Sequence, residues 1–381
     1  MYNCSDEFHK AVAAGNPQKA LLIFSDCVFT DEDINVENGI QFSDYFNTEE
    51  DLMIGQATSN EIRFSLFNDD RTLNNYKFGE FEALLGVEYA TQNYVQSAPV
   101  TIVTGKATYT GWNEYPYIKR NGTALSAQPS FPVKAILAYD GKVYAFSNSG
   151  ACVVYNDVTG ASEGAKSLNA FMKAKVKTWD QKGIYYNKNN HRLKISELGV
   201  TTWYEFVPLG TFIADRPNAP DVLQIDMDCF DKMQKFDADM PGKSALGITY
   251  PATIGTLFTK ICNYANVEYK SSSFINSTAK IQKEPDDFKN ATMRDVLKWI
   301  AEAAGANARF NRDGILELAW LKNTSQKYQA TDYSDFNPYW YKTKKVTRIY
   351  NRDTHESKDL TYGSKGEDYL IQDNPLLKGV T

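Results

Sequence analysis

The sequence has few of the residues and motifs that most catalytic and metal-binding sites need. Its 381 residues include three histidines, His9, His191 and His355. None of them has a second histidine or a cysteine at the spacing of metal ligands. Neither a Gly-x-Ser-x-Gly nucleophile elbow nor a glycine-rich phosphate loop occurs. The sequence therefore predicts no catalytic residue, no metal site and no cofactor.

Cysteines are few and widely separated. The five are Cys4, Cys27, Cys152, Cys229 and Cys262, and no CxxC pair is present. An odd number at wide spacing argues against a disulfide framework and against a zinc site. The sequence predicts free thiols, which fits synthesis in the cytosol.

Long hydrophobic runs are absent as well. The longest, such as residues 20–24, cover about a quarter of a membrane-spanning helix. The first seven residues have neither a basic start nor an apolar run, so no signal peptide is predicted. We expect no membrane insertion, and release from a cell only by lysis or by a dedicated machine.

Basic residues are fewer than acidic residues. The chain has 41 Lys and Arg against 47 Asp and Glu, a formal net charge of -6. A dedicated nucleic-acid binder needs clustered basic residues to displace counterions from phosphate. The short basic run Lys342–Arg348 is interleaved with strand residues, and we interpret it as a solvated strand face. No tight nucleic-acid binding is expected.

Two acidic clusters are the remaining candidates for chemistry. They are Asp26, Asp31, Glu32 and Asp33, and then Asp226, Asp228 and Asp231. Paired carboxylates can catalyse glycoside hydrolysis or hold a hard cation. The spacing matches no calcium loop, however, and Asp-x-Asp near a strand end is commonly a solvated turn. We prefer the solvated interpretation.

The patterns that are present indicate a β-rich chain with a few helices. Residues 62–66 alternate apolar and polar side chains, as a strand with one buried face does. Asp-Gly pairs at 140–141 and 313–314 predict tight hairpins. Thr292-Met293-Arg294-Asp295 is close to a capping box at a helix start. The predicted fold class is α+β, β-rich and multidomain.

Composition also divides the chain, which is long enough for two to four domains. Gly, Asn, Ser and Thr become more frequent between about 100 and 200, and we interpret 101–200 as a small inserted α+β module. Residues 239–325 predict an α+β domain in which a helix packs on a hairpin. Strand patterns precede and follow these regions.

Several segments of the sequence resemble segments that occur together, in the same order, in one known family. They are Asp51–Gly55 with Ile62–Leu66; Pro208–Ile213, Val222–Ile225 and Phe230–Met233; Thr249–Ile254 and Met293–Leu297; Asp313–Leu316; and Asn374–Leu377. On these segments the chain resembles the hub proteins of phage tail baseplates. That family includes the central hub of contractile tails and the tail-associated (Tal-type) protein at the tip of siphophage tails and prophage-derived particles. Residues 100–200 depart from the family pattern, and relatives usually continue beyond the position of Asn374.

The resemblance implies a fold with two β-barrel-like domains in each chain. The first would be split into 1–100 and 201–238, and the second would be 326–381, either whole or incomplete. It also implies a homotrimer whose six barrels form a ring that caps the hexameric tail tube and opens for DNA ejection. The implied partners are the distal tail protein, the tape-measure protein and a C-terminal spike, lysin or receptor-binding part. The implied location is the virion tail tip or baseplate, after synthesis in the host cytoplasm.

An alternative function is a carbohydrate-binding or glycan-cleaving module that acts on the cell envelope. Its candidate sugar-stacking residues are Trp112, Tyr115, Tyr117, Trp179, Tyr185 and Tyr186, and its candidate carboxylates are Asp226 and Asp228. A strand-core role for most of these aromatic residues is the competing interpretation. A third alternative, a bacterial secretion-spike component, shares the fold of the hub proteins.

Overall fold

A computed structural model describes residues 4–35, 39–45, 54–93, 100–221, 223–319, 346–351, 356–359, 367–370 and 374–376. For residues 215–221 and for the last three strands it describes the backbone alone. Several residues named above lie outside the described residues: 1–3, 51–53, 222, 342–345, 355 and 377. The described part is β-rich, with five α-helices and several separate sheets. The prediction of a β-rich α+β chain is confirmed at this level.

The helices are short. They are α1 (Asp6–Ala13), α2 (Ala170–Lys177), α3 (Lys243–Leu246), α4 (Ile254–Tyr264) and α5 (Met293–Ala303). Three 3₁₀ turns occupy Asp31–Asp33, Lys232–Phe236 and Asp286–Asn290. Within the described ranges, no helix has the length and apolar character that crossing a membrane requires.

Most of the described residues in regular secondary structure lie in strands. In the first half of the chain they are β1 (Gln18–Phe24), β2 (Val28–Thr30), β3 (Gln41–Ser43), β4 (Glu61–Phe67), β5 (Glu80–Asn93), β6 (Val100–Val103), β7 (Thr108–Gly111), β8 (Ile118–Arg120), β9 (Thr123–Ala124), β10 (Ala135–Tyr139), β11 (Lys142–Phe146), β12 (Cys152–Asn156), β13 (Ser162–Lys166), β14 (Gly183–Asn187) and β15 (Arg192–Glu197). The others are β16 (Val200–Asp221), β17 (Gln224–Asp231), β18 (Ala252–Thr253), β19 (Lys280–Ile281), β20 (Asn307–Phe310), β21 (Leu316–Ala319), β22 (Val346–Asn351), β23 (Glu356–Asp359) and β24 (Glu367–Leu370).

The chain forms two compact units, and each unit is built from two separate stretches. The first unit contains Met1–Gln41 and Ile62–Cys229, and the second contains Phe42–Glu61 and Phe230–Thr381. The finer domain boundaries given above stay predictions.

The main sheet of the first unit has the strand order β13-β12-β11-β10-β14-β15-β16-β17-β4. The long strand β16 is also antiparallel to β5, which continues through β1 to β2. Every residue from Ala20 to Phe24 in β1 is buried, as expected of an interior strand that is covered on both faces. Strands β10 and β14 are parallel, whereas the adjacent pairs β10–β11 and β14–β15 are antiparallel.

One contact joins the two ends of the strand series β2, β1, β5, β16, β17 and β4. Ile34, which follows β2, forms an isolated antiparallel bridge with Leu66 of β4. The Asn35 amide donates to the Ser65 carbonyl at 2.9 Å beside it. This single bridge is not continued by strand pairing between β2 and β4, so the described strands form no closed barrel.

Residues 101–200 contain strands from two sheets of the first unit. The smaller sheet has the order β6-β7-β8-β9. Its apolar face packs against one face of β10, β11 and β12 in a common core that includes Val100, Ile102, Tyr109, Ile136, Val143 and Tyr155. The hairpin predicted at Asp140-Gly141 is confirmed, since both residues have positive φ (50° and 72°) between the paired strands β10 and β11.

The second unit contains the predicted helix and hairpin. Helices α4 and α5 share one buried core with β20 and β21, centred on Phe258, Val296, Ile300 and Phe310. The predicted capping box at the start of α5 is confirmed. The Asp295 amide donates to Thr292 Oγ1 at 3.1 Å, and the Thr292 amide donates to Asp295 Oδ2 at 3.1 Å.

Candidate functional site

The predicted carboxylate pair lies on a strand and not in a turn. Asp226 and Asp228 share one face of β17, whose alternate residues Ile225 and Met227 are buried. Asp226 Oδ1 accepts from Ser65 Oγ at 2.7 Å. Asp228, which is exposed, forms an ion pair with Arg63 at 3.1 Å. The two carboxylates therefore bind different partners on β4.

Two members of the other acidic cluster are held in ion pairs. Asp33 binds the ammonium group of Lys175, a buried side chain of α2, and accepts from the Thr30 amide at 2.7 Å. Asp31 pairs with Lys19 at 3.0 Å. A buried ammonium group without a partner would be strongly unfavourable, so Asp33 holds α2 against the β1–β2 segment. Asp26 and Glu32 are exposed.

The two described histidines lie in unrelated surroundings. His9 is exposed on α1, whereas His191 is buried with its Nδ1 at 2.9 Å from the Tyr186 hydroxyl. Among the described residues, no group of three or more His, Cys, Asp or Glu side chains is arranged to hold a metal ion. The five cysteines are free thiols, and burial raises the pKa of Cys152 to about 12.

Asp231 is the most deeply buried carboxylate of the predicted clusters, with 2% of its surface exposed. Its oxygens accept from the Asn60 amide at 2.8 Å, the Met233 amide at 2.9 Å and Ser59 Oγ at 3.0 Å. Burial raises its pKa to about 6, because the loss of hydration outweighs the three donors. The Phe230–Met233 segment is thus tied to residues 59–60 of the same unit, which is a structural role.

The segment around Gly55 adds to the edge of the β20–β21 hairpin. The Gly55 amide donates to the Ala306 carbonyl at 2.9 Å, and the Ala308 amide donates to the Gln56 carbonyl at 2.7 Å. Ala57 and Ala308 form a parallel bridge. Gly55 has a φ of +81°, and a Cβ built on it would lie 2.9 Å from the Cβ of Glu302. Glycine is therefore required here by both conformation and space.

The Asn374 segment reaches the same helix from the far end of the chain. Asn374 is buried, and its Nδ2 donates to the Trp299 carbonyl at 2.9 Å and to Glu302 Oε2 at 2.8 Å. Burial raises the pKa of Glu302, although the Asn374 hydrogen bond opposes this. Leu376 is fully buried in the core of α4 and α5, and Ala57 belongs to that core too. Segments from three distant parts of the sequence therefore meet at α5.

Three of the predicted sugar-stacking residues lie together on one hairpin of the first unit. We define the aromatic hairpin as residues 112–119, which connect β7 to β8 and begin β8. The Tyr115 and Tyr117 rings are 5.8 Å apart and edge-to-face, and the Lys119 ammonium group lies 4.8 Å from the centre of the Trp112 ring. Tyr115 is 73% exposed.

Hydrogen bonds fix the shape of the aromatic hairpin. The Trp112 amide donates to the Tyr117 carbonyl at 2.8 Å, which closes the loop. Gln128 accepts from the Ile118 amide at 3.0 Å and donates to the Leu125 carbonyl at 2.8 Å. The loop therefore presents Tyr115 on a supported backbone, beside the exposed polar residues at 113 and 114. An exposed aromatic ring on a hydrogen-bonded loop, next to polar groups, is suited to stacking on a ligand.

The other three predicted stacking residues are elsewhere. Trp179 and Tyr186 are buried, with 7% and 3% of their surfaces exposed. The Tyr185 hydroxyl accepts from the Gly105 amide at 3.2 Å. The six aromatic residues therefore do not form one site. The strand-core interpretation holds for Tyr186, which lies on β14, whereas Trp179 is a buried residue of the turn that follows α2.

A scan of protein-family models, a search of curated proteins and a search of solved structures each found no match to this chain.

Proposed function

We propose that this chain is a structural hub protein of a phage tail baseplate or tail tip. In this role it forms a trimeric ring at the end of the tail tube. It has no enzymatic activity and connects the tube to the distal tail and tape-measure proteins, and to receptor-binding or lysin parts. Its location is the virion.

The observation that carries the proposal is the meeting of the hub-like segments at α5. The Gly55, Met293–Leu297, Asp313–Leu316 and Asn374 segments all belong to the second unit. They contribute backbone hydrogen bonds, a helix cap, a hairpin and buried side chains to one core. In an assembly protein we expect the shared residues to build a common core, because a rigid core positions the surfaces that bind partners.

The return contact at Ile34 and Leu66 supports the proposed barrel-like form of the first domain. It connects the last and first members of the series β2, β1, β5, β16, β17 and β4. A sheet whose ends approach each other is curled, and full closure removes the exposed edges of a sheet. We propose that residues 326–381, of which β22, β23, β24 and residues 374–376 are described, belong to the second barrel-like domain, with residues 374–376 packed on α5.

The test is the mass of the full chain in solution. We expect multi-angle light scattering to give about 129 kDa, three times the 43.0 kDa of the chain. Negative-stain images of that species should show a ring with threefold symmetry. The distal tail protein from the same tail should bind this ring. A 43.0 kDa species at about 100 µM that ignores the distal tail protein would contradict the proposal.

The second candidate function is binding of cell-envelope glycans, and the exposed Tyr115 on the aromatic hairpin favours it. We expect that, if this function is correct, Tyr115→Ala weakens binding to a cell-wall glycan by about tenfold, because one aromatic stacking contact is lost. The measurement is a glycan array followed by titration of any glycan that is bound. Tyr264→Ala, which removes a tyrosine that is 53% exposed at the end of α4, is the matched control.

The same preparation separates glycan binding from glycan cleavage. Cell-wall hydrolysis that disappears in both Asp226→Asn and Asp228→Asn would favour a glycan-cleaving module over the hub. A wild-type chain that neither binds nor cleaves envelope glycans would exclude this candidate and leave the hub proposal unaffected.

A further inference from the structure

The first unit contains a cavity that none of the functions above uses. It has a volume of about 140 Å³ and lies between α2, the β1–β2 hairpin and one face of β10, β14 and β15. Its lining is mainly apolar. Leu137, Ile184 and Ile195 line it from the sheet, and Met172 and Trp179 line it from the α2 side.

The sheet face on this side is only partly covered by the protein. Leu137 and Tyr139 of β10 and Tyr144 of β11 line the cavity and are half-buried. The alternate residues Ile136 and Ala138 of β10 point to the opposite face and are fully buried in the core shared with β6 and β7. Apolar side chains that keep contact with water are a source of binding free energy for an apolar ligand.

Four lysines line the cavity, and three of them already bind carboxylates. Lys19 binds Asp31, Lys175 binds Asp33, and Lys182 binds Glu197 at 2.9 Å. The fourth, Lys166 at the end of β13, lies 5.2 Å from the centre of the Tyr144 ring. Within the described ranges, Lys166 has no ion pair with an acidic side chain. Its ammonium group is therefore the cation that remains for an anionic ligand.

We propose that this cavity binds a small apolar molecule that carries one anionic group. The apolar part occupies the space beside Leu137 and Met172, and the anion binds the Lys166 ammonium group. The volume sets the size of the apolar part, since a dry apolar cavity of about 150 Å³ holds one benzene molecule. The ligand class is therefore an aromatic or short-chain carboxylate, or a related anion.

The test compares two probes with the same apolar skeleton on the full chain. 3-Phenylpropionate carries the anion, and 3-phenylpropan-1-ol is its neutral counterpart. We expect isothermal titration calorimetry to give a dissociation constant of about 1 mM for the acid. The alcohol should bind about fivefold more weakly, because it lacks the ion pair.

Three variants and one control decide the assignment. Lys166→Met should remove the preference for the acid, whereas Lys142→Met, which removes a surface lysine paired with Glu163, should preserve it. Leu137→Trp and Met172→Trp each fill the cavity and should abolish binding of both probes. Two filling variants are used, so that one remains informative if the other fails to fold.

Three results would each overturn the proposal. The first is the absence of saturable binding of either probe to the wild type at up to about 10 mM. The second is unchanged binding in a folded cavity-filling variant. The third is a preference for the acid that persists in Lys166→Met.

Discussion

Asp231→Ala is expected to lower the free energy of unfolding of the second unit by about 3 kcal/mol at pH 7. At this pH, above the pKa of about 6, the carboxylate accepts three hydrogen bonds. Alanine leaves the buried amides of Asn60 and Met233 without this acceptor, and leaves the Ser59 hydroxyl with only a long hydrogen bond to the Asn60 carbonyl at 3.4 Å. An unsatisfied buried donor costs more than the net value of the hydrogen bond it loses. Equilibrium urea unfolding measures the difference.

Asp228→Ala is the matched control for this experiment. It removes a carboxylate from the same strand, but one that is exposed and paired with Arg63 at the surface. Exposed ion pairs contribute about 0–1 kcal/mol, so this variant should unfold close to the wild type. Equal losses of unfolding free energy in the two variants would contradict the assignment of this structural role to the buried hydrogen bonds of Asp231.

Gly55→Ala is expected to cost about 3 kcal/mol of the free energy of unfolding of the second unit. About 1 kcal/mol comes from the positive φ, which a residue with a Cβ tolerates poorly. The remainder comes from overpacking, since the new Cβ would lie 2.9 Å from the Cβ of Glu302 on a helix that cannot move freely. Urea unfolding is the measurement, with hydrogen exchange of the α5 amides as a local readout.

Gly305→Ala separates the two contributions. Gly305 has a similar φ of +63°, belongs to the same unit, and has no atom within 4 Å of a built Cβ. We expect it to lose only the conformational part, about 1 kcal/mol. A loss in Gly305→Ala as large as that in Gly55→Ala would mean that the contact with Glu302 contributes nothing.

Local patterns predicted the individual elements of the fold well. The alternating residues 62–66 belong to strand β4 (Glu61–Phe67), and the Asp140-Gly141 turn connects the paired strands β10 and β11. Thr292 and Asp295 form the predicted capping box. Helix α2 follows the same rule, since Asn169 is its cap and accepts from the Met172 amide. Such elements can be predicted from the sequence because a helix cap or a tight turn depends only on residues within three or four positions of each other.

Pairings between distant residues were not predicted. The parallel alignment of β10 with β14 depends on the intervening β11–β13 strands and α2, and no local pattern reports it. Asp33 was assigned to a solvated cluster, yet it is the partner of the buried Lys175. The pairing of Gln56 with Asn307 brings an early loop onto a late hairpin. In each case the decisive contact is with a residue that is close only after folding.

The candidate sites show the same division. Composition pointed to aromatic residues between 112 and 186, but it gave no way to separate the exposed Tyr115 from the buried Trp179 and Tyr186. The cavity beside Lys166 was not predicted, because it is the space between a helix, a hairpin and one face of a sheet, which come together only on folding. Its one sequence signal is that successive residues of β10 and β11 are apolar, so that both faces of these strands carry apolar side chains. The resemblance to baseplate hubs stays a prediction.

The interleaved construction of the two units has a consequence during synthesis. Gln56 binds Asn307, which lies 251 residues further along the chain. At about 5–20 residues per second, the ribosome needs roughly 13–50 s to make that partner. During this interval residues 54–58 have left the ribosome without the hairpin edge on which they finally lie. The second unit can therefore form only late in translation, after all residues of the first unit have been made.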